Sequence, residues 1–174
     1  TRIGLRDQFF MILLYDTGAR IQEIIDAKIC EVKISSTSSI QLHGKGNKIR
    51  IVPLMENTVK HFKNYMKEFH SGETWESQNY IFYANHHGVM EKICDDTIRV
   101  RMNIYAEMAR QECSEVPERV HPHLWRHSRA MHLYQHGMDL TLISQWLGHK
   151  QFTTTLVYAH ADTETKRKAI EKAI

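Results

Sequence analysis

The sequence predicts a mainly α-helical α+β domain with a small antiparallel β-sheet. Apolar residues recur at helical spacing over most of the chain, whereas residues 31–53 alternate with a period of two. The 174 residues suit one domain, and 42% of them are hydrophobic and 25% charged, as in ordinary globular proteins. We therefore expect residues 1–174 to form a single domain without internal repeats.

Charge and cysteine content narrow the class of protein. The net charge of +3 permits a polyanionic partner but does not require one. The three cysteines, Cys30, Cys94 and Cys113, fit neither a disulfide framework nor a paired-thiolate metal site. The sequence has no run of about 18 apolar residues, and its N-terminus enters a helical pattern without resembling a signal peptide. We expect a cytoplasmic protein without a membrane span.

The N-terminal segment predicts two helices separated by a turn. Four apolar residues share one helical face, namely Leu5, Phe9, Ile12 and Leu13, and Gly18 is typical of a helix end. A second helix starts near Arg20. Arg20 lies one helical turn from Glu23, so the two side chains are close enough to touch.

A β-hairpin is predicted next. Residues 40–42 and 49–51 alternate on either side of a Gly-Lys-Gly-Asn turn at residues 44–47, and a third short strand lies near residues 32–34. Lys45 stands at the tip between two glycines, which lets the loop approach another surface closely.

The middle of the chain predicts two more helices. The first covers residues 56–69. After a polar loop at 71–79 and a short strand at 80–83, Asp95 or Asp96 is predicted to cap the second. The buried stripe of the second helix is predicted to be Ile98, Met102, Tyr105 and Ala109.

The C-terminal third predicts four short helices after a linker at residues 113–121. Each begins or ends at a residue type that favours helix termini. The first runs from Pro122 to about His136 and stops at Gly137. The predicted ends of the others are Asp139 and Gly148 for the second, Thr153–Thr155 for the start of the third, and Asp162 for the start of the last.

Six side chains have the chemistry needed to attack a phosphodiester: Arg20, Lys45, His123, Arg126, His149 and Tyr158. Attack requires that the two non-bridging oxygens be neutralised, that the nucleophile be held in line, and that the leaving oxygen be protonated. Two arginines suit the first task, because a guanidinium can grip phosphate oxygens through parallel donors.

These residues lie in four stretches: TGARIQEI at 17–24, GKGNKIRIVPL at 44–54, HPHLWRHSRAMHL at 121–133, and LGH at 147–149 followed by TTLVYAH at 154–160. Their order and spacing resemble the catalytic domain of tyrosine recombinases, the phage integrase family, over nearly the whole chain. Arg126 is followed by His149 after 23 residues and by Tyr158 nine residues later. His121 and Trp125 depart from the family pattern at positions without a catalytic role.

The resemblance implies the fold of the DNA breaking–rejoining enzymes and a role for each residue. Tyr158 is the implied nucleophile and His123 its acid/base partner, while Lys45 protonates the departing 5′ oxygen, with Lys48 as the alternative. Arg20 and Arg126 grip the phosphate, His149 donates a hydrogen bond to it, and Glu23 orients the site. No cofactor and no metal are expected, because cationic side chains take the metal's place.

The implied function is a site-specific DNA recombinase that cleaves and rejoins strands through a 3′-phosphotyrosine intermediate, without metal or ATP, in integration or excision of a mobile element. Chromosome-dimer resolution, a type IB topoisomerase and a catalytically relict DNA-binding regulator are the alternatives. The partners would be a double-stranded recombination site and further copies of the chain in a tetrameric synapse, reached through the C-terminal helix. The location would be the bacterial cytosol or nucleoid.

Three further expectations concern the two ends of the chain and its histidines. The family's N-terminal DNA-clamp domain is absent from this sequence, so we expect the chain to be a fragment that binds DNA weakly alone. The C-terminal apolar stripe around Ile170 and Ile174 suits either docking onto a neighbouring protomer or packing on its own domain. A zinc site built on His132 and His136 is the less favoured interpretation of the histidine-rich helix.

Overall fold

The computed structural model describes residues 1–46, 48–149, 153–161 and 167, without the side chains of residues 86 and 159–161. The described helices are α1 (Arg2–Thr17), α2 (Ile21–Ile25), α3 (Glu56–Phe69), α4 (Asp95–Glu112), α5 (Pro122–Gln135), α6 (Leu140–Leu147) and α7 (Thr153–Ala161). The described strands are β1 (Val32–Lys33), β2 (Ser39–Gly44), β3 (Lys48–Pro53), β4 (Tyr83–His86) and β5 (Val89–Lys92). The predicted α+β class is confirmed.

The main core forms around α1. Phe9 lies with its ring centroid 5.1 to 5.8 Å from the rings of Phe62, Tyr65 and Phe82, so α1, α3 and the segment before β4 share one aromatic cluster. All four rings are buried. Burying such rings supplies the largest apolar area per residue, so this cluster anchors the N-terminal half of the chain.

Gly18 ends α1 and lets α6 approach it. Its φ of 58° is left-handed, and its N–H donates to the Tyr15 carbonyl at 3.2 Å. A Cβ at this position would lie 2.8 Å from Cδ2 of Leu147. Glycine is therefore required at position 18 for two reasons, the left-handed backbone conformation and the close contact with α6.

The predicted hairpin is confirmed, but its inward-facing side carries a charged residue among the apolar ones. Strands β1, β2 and β3 form an antiparallel sheet in which Ile40 pairs with Val52 and Leu42 with Arg50. Ile49 and Ile51 are exposed, whereas Arg50 is part-buried. The alternation of β3 thus places a guanidinium on the inward-facing side.

Three predictions for the middle segment of the chain differ from the structure. Cys94 occupies the N-cap position of α4 without a side-chain hydrogen bond, so Asp95 and Asp96 lie in the first turn instead of capping the helix. Ala106 takes the third buried position, because Ile98, Met102 and Ala106 follow each other at i+4 spacing. Tyr105 and Ala109 are not buried, and the hydroxyl of Tyr105 donates to Asp7 at 2.8 Å.

The strand expected at residues 80–83 starts later. Tyr80 makes only an isolated bridge with Lys28, while the hairpin β4–β5 begins at Tyr83. The residues of β5 are exposed and lack an apolar alternation, which explains why the sequence did not indicate this strand.

The C-terminal helices form a second, smaller apolar cluster of Ala130, Ile143, Leu147 and Tyr158. The ends predicted for α5 and α6 are confirmed: Gly137 and Gly148 adopt positive φ, and Asp139 accepts from the N–H of Thr141. The last helix, expected from Asp162, lies outside the described residues except for Arg167. Among the helices described, none is long and apolar enough to cross a membrane.

Candidate active site

The hairpin β2–β3 and the C-terminal end of α6 enclose a cleft of about 660 Å³. Within the described part of the chain its polar lining consists of Arg20, Lys45, Lys48, Arg50, His149 and Thr154. Four of these side chains are cationic at neutral pH. The cleft is therefore suited to an anion.

Arg20 and Arg50 share one buried carboxylate, Glu23, which is 4% exposed. The backbone N–H of Arg20 donates to Oε2 of Glu23 at 2.7 Å and its Nη1 to Oε1 at 3.2 Å. Arg50 donates through Nη1 and Nη2 to the same two oxygens at 2.6 and 2.8 Å. Burial alone would raise the pKa of Glu23, but the hydrogen bonds and charges of Arg50 and Arg20 lower it overall. Glu23 therefore holds both guanidiniums as a carboxylate.

Arg50 is the residue that the sequence analysis missed. Its Nε donates to the carbonyl of Trp146 at 3.0 Å, and a Cβ on Gly148 would lie 3.0 Å from its Cδ. Arg50 thus ties the hairpin to the end of α6 and to Glu23. A charged residue at an inward position of a strand, opposite Leu42, is the signal that could have identified it.

Arg126 lies behind the cleft, one turn into α5, and is 6% exposed. Its Nη1 donates to the carbonyl of Gly18 and its Nη2 to that of Leu147, both at 2.6 Å. Burial, assisted by the charges of Arg20 and Arg50, lowers the pKa of Arg126 to about 10, so it remains a cation at neutral pH. Because a guanidinium has five N–H donors and two of them bond to backbone among the described residues, about three remain for a further acceptor there.

His123 and Lys45 stand at more open positions. His123 is exposed in the first turn of α5, and partial burial, followed by the charges of Arg126, His121 and Arg20, lowers its pKa. A neutral imidazole can accept a proton. Lys45 is exposed at the tip of the hairpin and lines the cleft together with Lys48.

His149 follows the left-handed Gly148 at the end of α6. Burial, followed by the charges of Arg126, Arg20 and Arg50, lowers the pKa of His149 to about 4. Its ring is therefore neutral at physiological pH. A hydrogen bond of 2.7 Å joins its Nδ1 to Oγ1 of Thr155 on α7.

Tyr158 lies in the small C-terminal cluster and is 6% exposed. Burial raises its pKa, and the charge of Arg126 opposes that shift. The described ring contact of Tyr158 is with His127 on α5, at 5.2 Å between centroids. Tyr158 is thus within the electrostatic field of Arg126, but it does not belong to the described lining of the cleft.

The two histidines considered for zinc have other partners. Nδ1 of His132 shares a hydrogen bond of 2.8 Å with the hydroxyl of Tyr15, and Nδ1 of His136 bonds to the carbonyl of His132 at 2.8 Å. Their rings pack edge-on at 4.4 Å. These contacts fit a surface pair better than a metal site.

Comparison with known proteins points in one direction. The family model described as phage integrase family matches residues 1–165. Tyrosine recombinase XerD of Yersinia pestis is 35% identical over 170 residues, which cover 95% of this chain and 53% of XerD. The crystal structure of a XerA recombinase superposes with a TM-score of 0.76 at 26% identity, covering 97% of this chain and 57% of XerA.

A XerH site-specific recombinase bound to a palindromic difH substrate, in a post-cleavage complex, superposes with a TM-score of 0.76 at 24% identity. That match covers 98% of this chain and 46% of XerH, and it supports the fold. The chain spans about half the length of the curated relatives it matches.

Proposed function

Because the chain belongs to the phage integrase family, we propose that it is a site-specific recombinase that cleaves and rejoins DNA strands through a 3′-phosphotyrosine. The observation that carries this proposal is the convergence of Arg20, Arg126 and His149 around a cationic cleft, with Tyr158 in the field of Arg126. This arrangement fits an anionic phosphodiester and a tyrosine nucleophile.

The guanidiniums would neutralise the phosphate. Arg20 presents a partly exposed side chain to the cleft, fixed by Glu23, and Arg126 uses two of its five donors on backbone carbonyls among the described residues, which leaves others for the phosphate. Charge that develops on the non-bridging oxygens in the transition state would be met by donors already in position. His149 would add one neutral hydrogen bond. Glu23 and Arg50 would act as positioning residues that do not touch the DNA phosphate.

Tyr158 would form the new bond. Its hydroxyl oxygen attacks phosphorus, the bond between phosphorus and the 5′ oxygen breaks, and the 3′ phosphate remains on the tyrosine. His123 would take the phenolic proton, which the raised pKa of Tyr158 makes necessary at neutral pH. Lys45 would deliver a proton to the 5′ oxygen. Reversal with another 5′ hydroxyl reseals the strand without ATP.

The proposed partner is a double-stranded recombination site, recognised by several copies of the chain in a tetrameric synapse. The XerH neighbour bound to its difH substrate supports DNA as the ligand. The synapse and its dependence on the C-terminal helix rest on the family resemblance. Gel filtration on DNA of this chain and of a form ending at Ala161 tests them. Equal complex size for both forms contradicts a role for the C-terminal residues.

Integration or excision of a mobile element is the proposed biological role, with chromosome-dimer resolution as the alternative. A transposon integrase, 20% identical, shares the fold, whereas tyrosine recombinase XerD is a relative at 35% identity. A circular DNA that joins the two ends of the segment encoding the chain supports the first role. Accumulation of dimeric chromosomes after deletion of the gene supports the second.

A nicked suicide substrate tests the chemistry. Incubated with the protein in EDTA, at concentrations where fluorescence anisotropy shows DNA bound, it should yield a covalent adduct that Tyr158→Phe abolishes. Bound DNA without an adduct would contradict the proposal. Cleavage that needs a metal and leaves no adduct would indicate a nuclease instead.

A further inference from the structure

A buried hydroxyl fixes the ring of His149. Thr155 lies in the first turn of α7, is 0% exposed, and its Oγ1 is 2.7 Å from Nδ1 of His149. The backbone of His149 is held separately, since its N–H donates to the carbonyl of Ser144 at 3.1 Å. The orientation of the imidazole thus depends on a single side-chain hydrogen bond among the described residues.

The proton on this ring has two possible positions. At neutral pH the ring carries one N–H, because burial and the charges of Arg126, Arg20 and Arg50 lower its pKa to about 4. With the proton on Nδ1, Thr155 would accept it, and Nε2 would present a lone pair to the cleft. A lone pair repels an anion. With the proton on Nε2, the ring presents a donor.

We propose that Thr155 is a positioning residue whose hydroxyl donates to Nδ1 of His149 and thereby keeps the ring proton on Nε2, facing the anion cleft. A hydrogen bond at one ring nitrogen determines the function of the other. The meaning of this arrangement for catalysis rests on the proposed function, in which His149 donates to the DNA phosphate.

The same bond links two parts of the site. Thr155 precedes Tyr158 by three residues on α7, so the two side chains lie one helical turn apart. His149 lies at the end of α6. When α7 occupies the position seen here, the nucleophile's helix also sets the tautomer of the phosphate donor. The position of α7 therefore determines both where Tyr158 lies and which tautomer His149 adopts.

Nitrogen NMR on the chain tests the tautomer without any assumption about DNA. Among the 12 histidines, the ¹⁵N signals of His149 are assigned by their loss in His149→Gln. The wild-type ring should be the Nε2–H tautomer at neutral pH. An Nδ1–H tautomer or a cation overturns the proposal. Thr155→Val should convert the signal to a mixture of tautomers, whereas Thr155→Ser, which keeps the hydroxyl, should retain Nε2–H.

Single-turnover cleavage of a suicide substrate tests the consequence. Thr155→Val should reduce the rate about tenfold, the effect of one hydrogen bond, and Thr155→Ser should restore most of it. In a His149→Trp background the ring donor cannot change tautomer, so Thr155→Val should have little further effect. An equal loss in both backgrounds overturns the proposal, because it indicates a purely structural role.

The two measurements separate this inference from the proposed function. If the wild-type chain binds DNA but forms no adduct while the NMR signal is Nε2–H, the recombinase proposal fails and the positioning of His149 by Thr155 stands. If the adduct forms and the tautomer is Nδ1–H, the positioning fails and the recombinase proposal stands.

Discussion

The two walls of the cleft are held by different forces. The guanidinium wall, formed by Arg20, Glu23 and Arg50, is fixed by a two-pronged ion pair with a buried carboxylate and by bonds to backbone. The tyrosine segment, formed by α6 and α7, rests on a small apolar cluster and on the bond between His149 and Thr155. Substitutions in the guanidinium wall should therefore change both the stability of the fold and the geometry of the cleft. Substitutions in the tyrosine segment should change mainly the cleavage rate.

Arg126 bonds to the carbonyls of Gly18 at the end of α1 and Leu147 at the end of α6, and it should show the largest kinetic effect. Lysine cannot copy its grip on two acceptors, so Arg126→Lys should slow cleavage about 10³-fold while DNA affinity changes little. Single-turnover rates and anisotropy measure the two quantities. Arg129→Lys is the matched control, because Arg129 lies one turn later in α5 and pairs with Asp16. It should reduce stability without this selective loss of rate. Equal losses of binding and cleavage in Arg126→Lys would contradict the assigned role.

The hairpin tip carries two lysines, Lys45 and Lys48, whose roles can be distinguished by substitution. Lys45→Ala should lower the cleavage rate about 10²-fold, the usual contribution of a general acid. A substrate with sulfur at the 5′ bridging position should restore the rate, because a thiolate leaves without a proton. Lys48→Ala is the control and should show neither effect. Sulfur rescue of Lys48→Ala instead would transfer the role to Lys48.

Glu23 tests whether the guanidinium wall depends on its buried charge. Removing one partner of a buried ion pair costs about 3 kcal/mol, so Glu23→Gln should lower the free energy of unfolding by roughly that amount at pH 7. The pKa of Glu23 is lowered below its reference value of 4.5. Its contribution is therefore present above pH 4.5 and is lost as the pH falls through the lower, folded-state pKa.

Urea unfolding between pH 7 and 3 measures this difference. The gap between wild type and Glu23→Gln should narrow below about pH 4.5, because the carboxylate of Glu23 is protonated first in the unfolded chain and only at lower pH in the fold. A gap that stays constant over the whole range would mean that folding does not lower the pKa of Glu23.

Protonation of His149 should have the smallest effect on the cleavage rate. Its pKa is lowered from 6.5 to about 4, so the unfolded chain takes up the proton first and this residue withdraws stability as the pH falls from 6.5 to 4. An NMR titration should give a midpoint near pH 4. The cleavage rate of His149→Trp should depend on pH between 6 and 8 as in wild type. A midpoint above 6 would contradict the influence of the three arginines.

The parts of the fold that sequence predicted depend on local chemistry. Gly18, Gly137 and Gly148 mark helix ends because few other residues adopt positive φ, and Asp139 caps its own helix. The hairpin of residues 39–53 followed from alternation and from its turn. Each of these features is encoded within a few neighbouring residues.

Features that depend on distant residues could not be predicted in the same way. Glu23 and Arg50 are 27 residues apart, and Arg126 reaches the carbonyl of Gly18 across 108 residues. A charged residue at an inward position of a strand indicates that it has a partner, but the local sequence does not show which residue that partner is. Likewise, the bond from the Tyr105 hydroxyl to Asp7, 98 residues away in the chain, has no signal in the local sequence of α4.

The central claim is that one tyrosine forms a covalent bond to DNA. The chain has seven tyrosines, and Tyr134 also packs against the cluster that contains Tyr158. Protease and nuclease digestion of the trapped adduct, followed by mass spectrometry, identifies the modified residue. We predict a 3′-nucleotide phosphate on the peptide containing Tyr158. The same modification on Tyr134, or on a serine, would contradict the account.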